Sequence, residues 1–351
     1  MPFISLRKKD SFVGVLLPEL IVLFFALVAL GLYHELQLPL RAPWGLYWSR
    51  IKGTAGCYAV SLVLVLLAAR ISHLRQGRKQ KVFVPHQYTW NAFRGQFLSR
   101  REMLNDFRLL NITCIMFVVF VNLKHLIPYL NPLRFDSALY RLDQVIFHGM
   151  SGGEFLIERL GARWAPTLSS GYTLFYPYVA AVIYIFVMQR NRRLANEFLT
   201  GFFLIWFCGL LIAYAVPTTG PVFFMPDAFS HLPWTEVSDM QSKLWRHKLV
   251  LDDYPRHEAA TYLISGLPSL HLAVPVFATI YLWRLQRVLA LLSGLFCAMT
   301  AVTTLYFGWH WLADDIVAIL LGVGIARATR RYFAPRYLYV PDAPPQPPVA
   351  R

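Results

Sequence analysis

The sequence predicts an all-α fold: a polytopic membrane bundle of about eight spans, with two N-terminal helices ahead of a six-helix core. Three observations carry this. Of 351 residues, 56% are hydrophobic and 15% charged, against about 25% charged in an ordinary soluble domain, and the mean hydropathy is +0.45. Apolar windows approaching the roughly 20 residues needed to cross a bilayer recur along the chain. The charges are also sorted between alternate connections, as they are in membrane proteins.

The first window, 12–33, carries Glu19 beside Pro18. A carboxylate at that depth is costly in lipid and must face protein or find a partner, and the second N-terminal span is the nearest source. The window is too long for a signal peptide and has no small-residue cleavage site. The second span, 54–70, completes an N-terminal unit over 1–70, for which a homo-oligomer surface, a lateral gate wall and a partner dock all stay open. Segment 71–108 mixes basic and aromatic residues and reads as a cytoplasmic stretch lying on anionic headgroups. The core, 109–331, holds spans at 109–127, 168–188, 198–217, 270–284, 288–306 and 311–327. Its long connections, 128–167 and 218–269, are rich in aromatics and prolines. Pro217-Thr218-Thr219-Gly220-Pro221 stops the fifth span in an irregular loop, since Pro lacks a donor and Gly admits unusual dihedrals. The tail from 332 is Pro-rich and reads as extended or disordered.

Net charge is +15, yet its distribution argues against a nucleic-acid site. With the N-terminus in the cytoplasm, the cytoplasmic segments hold 22 Lys and Arg against 5 Asp and Glu, a net +17. The opposite side holds 12 against 13, a net −1, with Glu19 left inside the first span. Both termini are thereby placed in the cytoplasm. Cys57, Cys114, Cys208 and Cys297 all fall within or at the spans, show no metal-ligand spacing, and read as packing residues.

Two histidines stand at the heads of inward-running spans on the non-cytoplasmic side, which is periplasmic, extracellular or lumenal. His271 closes Gly266-Leu267-Pro268-Ser269-Leu270-His271, and His310 lies in Tyr306-Phe307-Gly308-Trp309-His310-Trp311-Leu312-Ala313-Asp314. One imidazole can attack phosphorus while a second protonates the leaving oxygen. Asp314, four residues after His310, falls on the same helical face and can hold the ring; Asp315 reads as a cap or supporting residue. Helix N-termini also favour phosphate. Lys243, Arg246, Lys248 and Arg256, in the charged loop 237–258, are candidate phosphate clamps. The remaining histidines (His34, His73, His86, His125, His148, His231, His247, His257) read as interfacial or surface groups.

Gly-Leu-Pro-Ser-Leu-His followed by Tyr-Phe-Gly-Trp-His-Trp-Leu-Ala-Asp resembles the second and third motifs of the type 2 phosphatidic acid phosphatase superfamily. The resemblance covers roughly 109–331. It departs from the phosphatase pattern twice. The Arg expected six residues before the motif histidine is Thr304, and the first motif, a Lys followed by Arg-Pro, is replaced by Pro217–Pro221. Both departures resemble the branch containing the inositol phosphorylceramide synthases. Arg134-Phe135-Asp136-x-x-Leu139-x-x-x-Asp143 and Tyr176-Pro177 are also similar to that branch.

The resemblance implies that His310 forms a phosphohistidine, Asp314 fixes its tautomer, and His271 protonates the leaving oxygen and then activates the acceptor. Backbone N–H groups near Gly266 and Ser269, with the Ser269 hydroxyl, would hold phosphate oxygens. This chemistry needs no metal or other cofactor. The expected partners are membrane lipids: phospholipid, sphingolipid or polyprenyl phosphate. Headgroup transfer to a hydroxyl is favoured by the two departures, and hydrolysis of a lipid or polyprenyl phosphate is the alternative. A non-catalytic lipid-binding protein or transporter is the reading from another class, and the intact His-x-x-x-Asp argues against it.

Overall fold

The structure is a computed structural model that describes residues 12–41, 43–80, 85–189 and 191–334. The Pro-rich tail from 335 and the first eleven residues lie outside the described residues. Every described regular element is helical. In chain order they are α1 (Phe12–Glu35), α2 (Pro43–Gln80), α3 (His86–Phe97), α4 (Arg100–His125), α5 (Ile127–Leu130), α6 (Asp136–Ile146), α7 (Gly152–Leu160), α8 (Ala165–Thr173), α9 (Phe175–Val187), α10 (Arg192–Ala215), α11 (Pro221–Phe224), α12 (Glu236–Asp253), α13 (Leu270–Leu282), α14 (Arg287–Tyr306) and α15 (Leu312–Tyr332).

All eight predicted apolar windows are helical. Among the described residues, six helices are long and apolar enough to cross a membrane: α1, α2, α4, the α8–α9 pair, α10 and α14. The chain is an integral membrane protein. The two windows that fall short of that measure are the ones at whose starts the histidines stand, His271 in the first turn of α13 and His310 two residues before α15. α13 has 13 residues, and α15 holds Asp314 and Asp315 in its first turn and Arg330 and Arg331 in its last. Asp314 and Asp315 are tolerated because neighbouring helices, rather than lipid, surround them, whereas Arg330 and Arg331 are exposed at the far end of the helix.

α10 is the axis of the bundle. Apolar on all sides, it is buried over most of its length, as a helix surrounded by others must be. From it Phe198 packs against Phe186 of α9 and Phe277 and Tyr281 of α13, and Phe207 stacks on Phe25 of α1. α13 and α15 approach closely at Gly322, where a Cβ would come within 2.8 Å of the Ala273 carbonyl oxygen. A side chain there would push the two histidine-bearing helices apart.

Several helix starts follow from local sequence. Ser151 and Glu154 form a reciprocal capping box on α7, and Asn191 accepts from Leu194 N–H at 3.2 Å on α10. The charged stretch 237–258, read from sequence as a loop, is mostly the helix α12, opened by Thr235 and Ser238. Similarly, 128–167 contains α6 and α7, and 71–108 contains α3, whose Phe93 and Phe97 are buried against α2 and Met188.

Glu19 finds its partner on α4, not on α2 as position suggested: it pairs with Arg108, which also reaches Asn196 of α10 at 3.1 Å. Arg192 pairs with Asp106 at 2.6 Å, and Arg284 with Glu197 at 2.6 Å. These ion pairs lie at the end of the bundle away from the two histidines. Among the described residues the four cysteines are free, and Cys114 contacts Thr54 at 3.4 Å.

Candidate active site

The loop 217–222 is the hub on which both histidine turns hang. Its Pro217 carbonyl accepts from Phe135 N–H at 3.0 Å. Its Thr218 carbonyl and hydroxyl accept from Gly266 N–H at 3.0 Å and Leu267 N–H at 2.8 Å, fixing the turn before α13. Val222 N–H donates to the Gly308 carbonyl at 2.9 Å, fixing the turn before α15. Gly220 sits at φ +93°, and a Cβ there would fall 2.4 Å from the Trp309 carbonyl oxygen, so only glycine fits.

Asp136 of α6 clamps this hub. Fully enclosed, its carboxylate accepts from Thr219 N–H at 2.9 and 3.0 Å, Gly220 N–H at 2.9 Å and the Trp311 indole N–H at 3.0 Å. Two helical turns on, Asp143 accepts from Gly152 N–H at 2.9 Å and Leu312 N–H at 3.3 Å. Burial pushes the Asp143 carboxyl up from its ordinary value, and the two amide donations pull it back. The two acids noted in the sequence between Arg134 and Asp143 are therefore braces for the site.

His310 and Asp314 meet, but not by sharing a helix face. His310 precedes α15, whose N-cap is Trp311. Asp314 turns back over the cap, and its Oδ2 accepts from Trp311 N–H at 3.0 Å and from His310 Nδ1 at 3.2 Å. A carboxylate acceptor keeps the proton on Nδ1 and leaves the Nε2 lone pair free. The rings of His310 and His271 lie 6.3 Å apart, centroid to centroid, and both open onto a cavity of about 760 Å³.

His271 is held by two residues that sequence reasoning missed. The Tyr172 hydroxyl lies 3.2 Å from its Nε2, and the Phe175 ring is 4.3 Å from its ring. Tyr172 in turn stacks on Trp309, beside His310. The flagged Tyr176 lines the same cavity one turn further on. No local signal separated these aromatics from packing residues.

Asp315 takes the supporting place expected of it, with Oδ2 accepting from the Thr304 hydroxyl at 3.2 Å. Thr304, where the phosphatase pattern has Arg, is fully buried, and its carbonyl accepts from Trp309 and His310 N–H. The Gly266 and Ser269 amides are taken up within the protein. They donate to the Thr218 carbonyl and to the Asp314 carbonyl at 3.2 Å. A Cβ on Gly266 would meet Thr218 Oγ1 at 2.3 Å and Asp314 Oδ2 at 2.9 Å, so this residue serves close packing. The Ser269 side chain is fully buried beside Asp315.

Of the four candidate clamps, only Lys243 lines the cavity. Lys248 is spent on Asp252 and the Trp245 ring, Arg246 is exposed away from the cavity, and Arg256 lies with Glu258 in a separate surface depression. Other cations on the cavity wall come from outside the charged stretch. Lys124, at the end of α4, lines the cavity close enough to bear on His271 electrostatically and has no ion-pair partner among the described residues. Arg41 and Arg50 also line it. Two histidines read as surface groups are not: His125 is buried beside Arg41, and His247 faces the cavity.

The PAP2 superfamily model matches residues 138–328, from within α6 to within α15. The chain belongs to the PAP2 superfamily. Comparison with curated proteins and with solved structures gives no match. The match makes this PAP2 protein a phosphatase-type enzyme of lipid phosphates, and it leaves α1 to α5, with Lys124, outside the family region.

Proposed function

We propose that this PAP2 protein is a headgroup phosphotransferase of the inositol phosphorylceramide synthase-like kind. It moves a phosphorylated polar group from a donor lipid to a hydroxyl acceptor. The observation that carries the reading is the pair of imidazoles facing one cavity, one with Nδ1 tied to Asp314 and Nε2 free. His310 Nε2 attacks phosphorus, the bond from phosphorus to the leaving oxygen breaks, and protonated His271 delivers its proton to that oxygen. The acceptor hydroxyl then attacks the phosphohistidine, His271 takes its proton, and the P–N bond breaks to restore His310. Asp314 stabilises the imidazolium character that builds on His310. Tyr172 orients His271, and Lys124 and Lys243 offset the phosphate charge in place of the missing Arg and first motif. No step needs a metal.

Superfamily membership supports a second reading, hydrolysis, in which water replaces the hydroxyl acceptor and the same residues serve. The charge asymmetry supports placing the histidine end on the non-cytoplasmic face. The test uses purified wild type and His310→Ala in detergent with a panel of phospholipids and polyprenyl phosphates, with and without lipid hydroxyl acceptors, read by mass spectrometry. New headgroup-bearing lipids from wild type alone are expected. Free phosphate alone would install the hydrolase reading, and identical products from both proteins would end the enzyme reading.

A further inference from the structure

The N-terminal helix pair lies outside the family region, yet α2 borders the histidine cavity. The cavity follows one face of α4 from Lys124 back through Val121, Phe117, Cys114 and Thr113 to Leu110. At 1.5 Å per residue that stripe is about 21 Å long. It exceeds the roughly 15 Å that one leaflet contributes to a hydrocarbon core of about 30 Å. Lys124 and the histidines gather at one end, Arg50 lies part-way along over the Phe117 ring at 5.7 Å, and the walls opposite α4 are apolar, from Val179 and Ile183 of α9 and Leu210 of α10.

The remaining wall is α2. It presents Ser49, Gly53 and Cys57, small residues at four-residue spacing, to the lumen, with Leu46, Arg50 and Thr54 beside them. The most apolar part of α2 buries none of its residues in the protein, although the helix is tied to its neighbours. Thr54 contacts Cys114, and the Tyr184 hydroxyl donates to the Thr54 carbonyl at 2.8 Å. These contacts hold α2 beside the bundle without closing the gap. A Cβ on Gly53 would meet no atom within 4 Å, in accord with open space on that face.

We propose that α2 is the outer wall of a chamber that houses a hydrocarbon chain of the lipid whose phosphate the histidines attack, and that its Ser49–Gly53–Cys57 face sets the chain length accepted. This rests on the lipid-phosphate reading above. A hydrocarbon chain suits the lumen because the lumen is long, apolar on its α9 and α10 walls, and joined to Lys124 and the histidines at the end where the phosphate reacts. The chemistry is that of a long-chain lipid phosphate and not of a soluble sugar or nucleotide ester, which would leave the apolar walls uncovered.

The test is Gly53→Phe, whose ring has room to enter the lumen, with Gly56→Phe as control; Gly56 also has open space but does not line the cavity. Each methylene kept out of apolar surroundings costs about fourfold in affinity, so displacing two or more should lower the long-chain to short-chain ratio of kcat/KM by about tenfold. That fall is expected in Gly53→Phe and not in Gly56→Phe. An unchanged ratio in Gly53→Phe would overturn the proposal. Independently of turnover, a long-chain alkyl phosphate with a terminal diazirine should label α2 or α4 peptides in the inactive His310→Ala protein. Labelling confined to other helices would overturn it even where Gly53→Phe fails to fold. If wild type converts no lipid phosphate while α2 is labelled, the catalytic reading falls and the chamber stands.

Discussion

Replacing Asp136 tests whether the site is held from α6. Asp136→Ala orphans three buried N–H donors, those of Thr219, Gly220 and the Trp311 indole. Each costs about 1–3 kcal/mol when left unpaired, and the low end of that range gives a loss of about 3 kcal/mol. The hub loop then loses its anchor to Trp311, the residue next to His310, and a displacement of about 1 Å at a reacting group costs about 10²-fold in rate. Asp136→Asn should be much milder. Oδ1 accepts from Thr219, Gly220 and the indole, and Oδ2 accepts from Thr219 again, so an amide with its oxygen at the Oδ1 position keeps three of the four contacts, losing about 1 kcal/mol and less than tenfold in rate. The assay is thermal unfolding in detergent beside lipid turnover on the same preparations. An Ala variant matching wild type in both would refute the clamp, and an Asn variant as damaged as Ala would refute the acceptor argument.

Asp314→Asn should lower kcat by about 10²–10⁴-fold with little change in KM, since it disturbs the His310 tautomer and not ground-state binding; a rise in KM alone would contradict this. Lys124→Met should raise KM for a lipid phosphate at least tenfold, with Lys124→Arg restoring most of the loss; an unchanged KM would remove Lys124 from the phosphate cradle. Tyr172→Phe keeps the ring stack on Trp309 and deletes only the hydroxyl beside His271, so unfolding should shift little while the pH profile of kcat moves; an unmoved profile would leave Tyr172 a packing residue. Gly220→Ala should lower stability by about 1–3 kcal/mol, because φ is positive and the added Cβ meets the Trp309 carbonyl; a thermal midpoint equal to wild type would contradict it.

The helices were legible because the bilayer leaves the backbone few ways to satisfy its hydrogen bonds, so long apolar windows can only be helical there. The pairing of His310 with Asp314 was also legible, although the reason differs: a helix cap, not a shared helix face, brings them together. Glu19 shows the boundary well. Its place within an apolar span dictated that it must face protein or have a partner, but hydropathy carries no information about which neighbouring helix supplies one, and Arg108 of α4 does.

The sequence by itself thus determined the number and character of the apolar segments, the charge asymmetry and the identity of the two histidines, all set by local composition and short-range spacing. Tertiary structure alone decided which amides are spent inside the protein, as those of Gly266 and Ser269 are, and which cations face the histidines. It also decided that α2 walls the cavity. Those outcomes depend on how faces of helices remote in sequence pack around α10, and side chains such as Lys124 and Tyr172 acquire their roles only from what the opposite face presents.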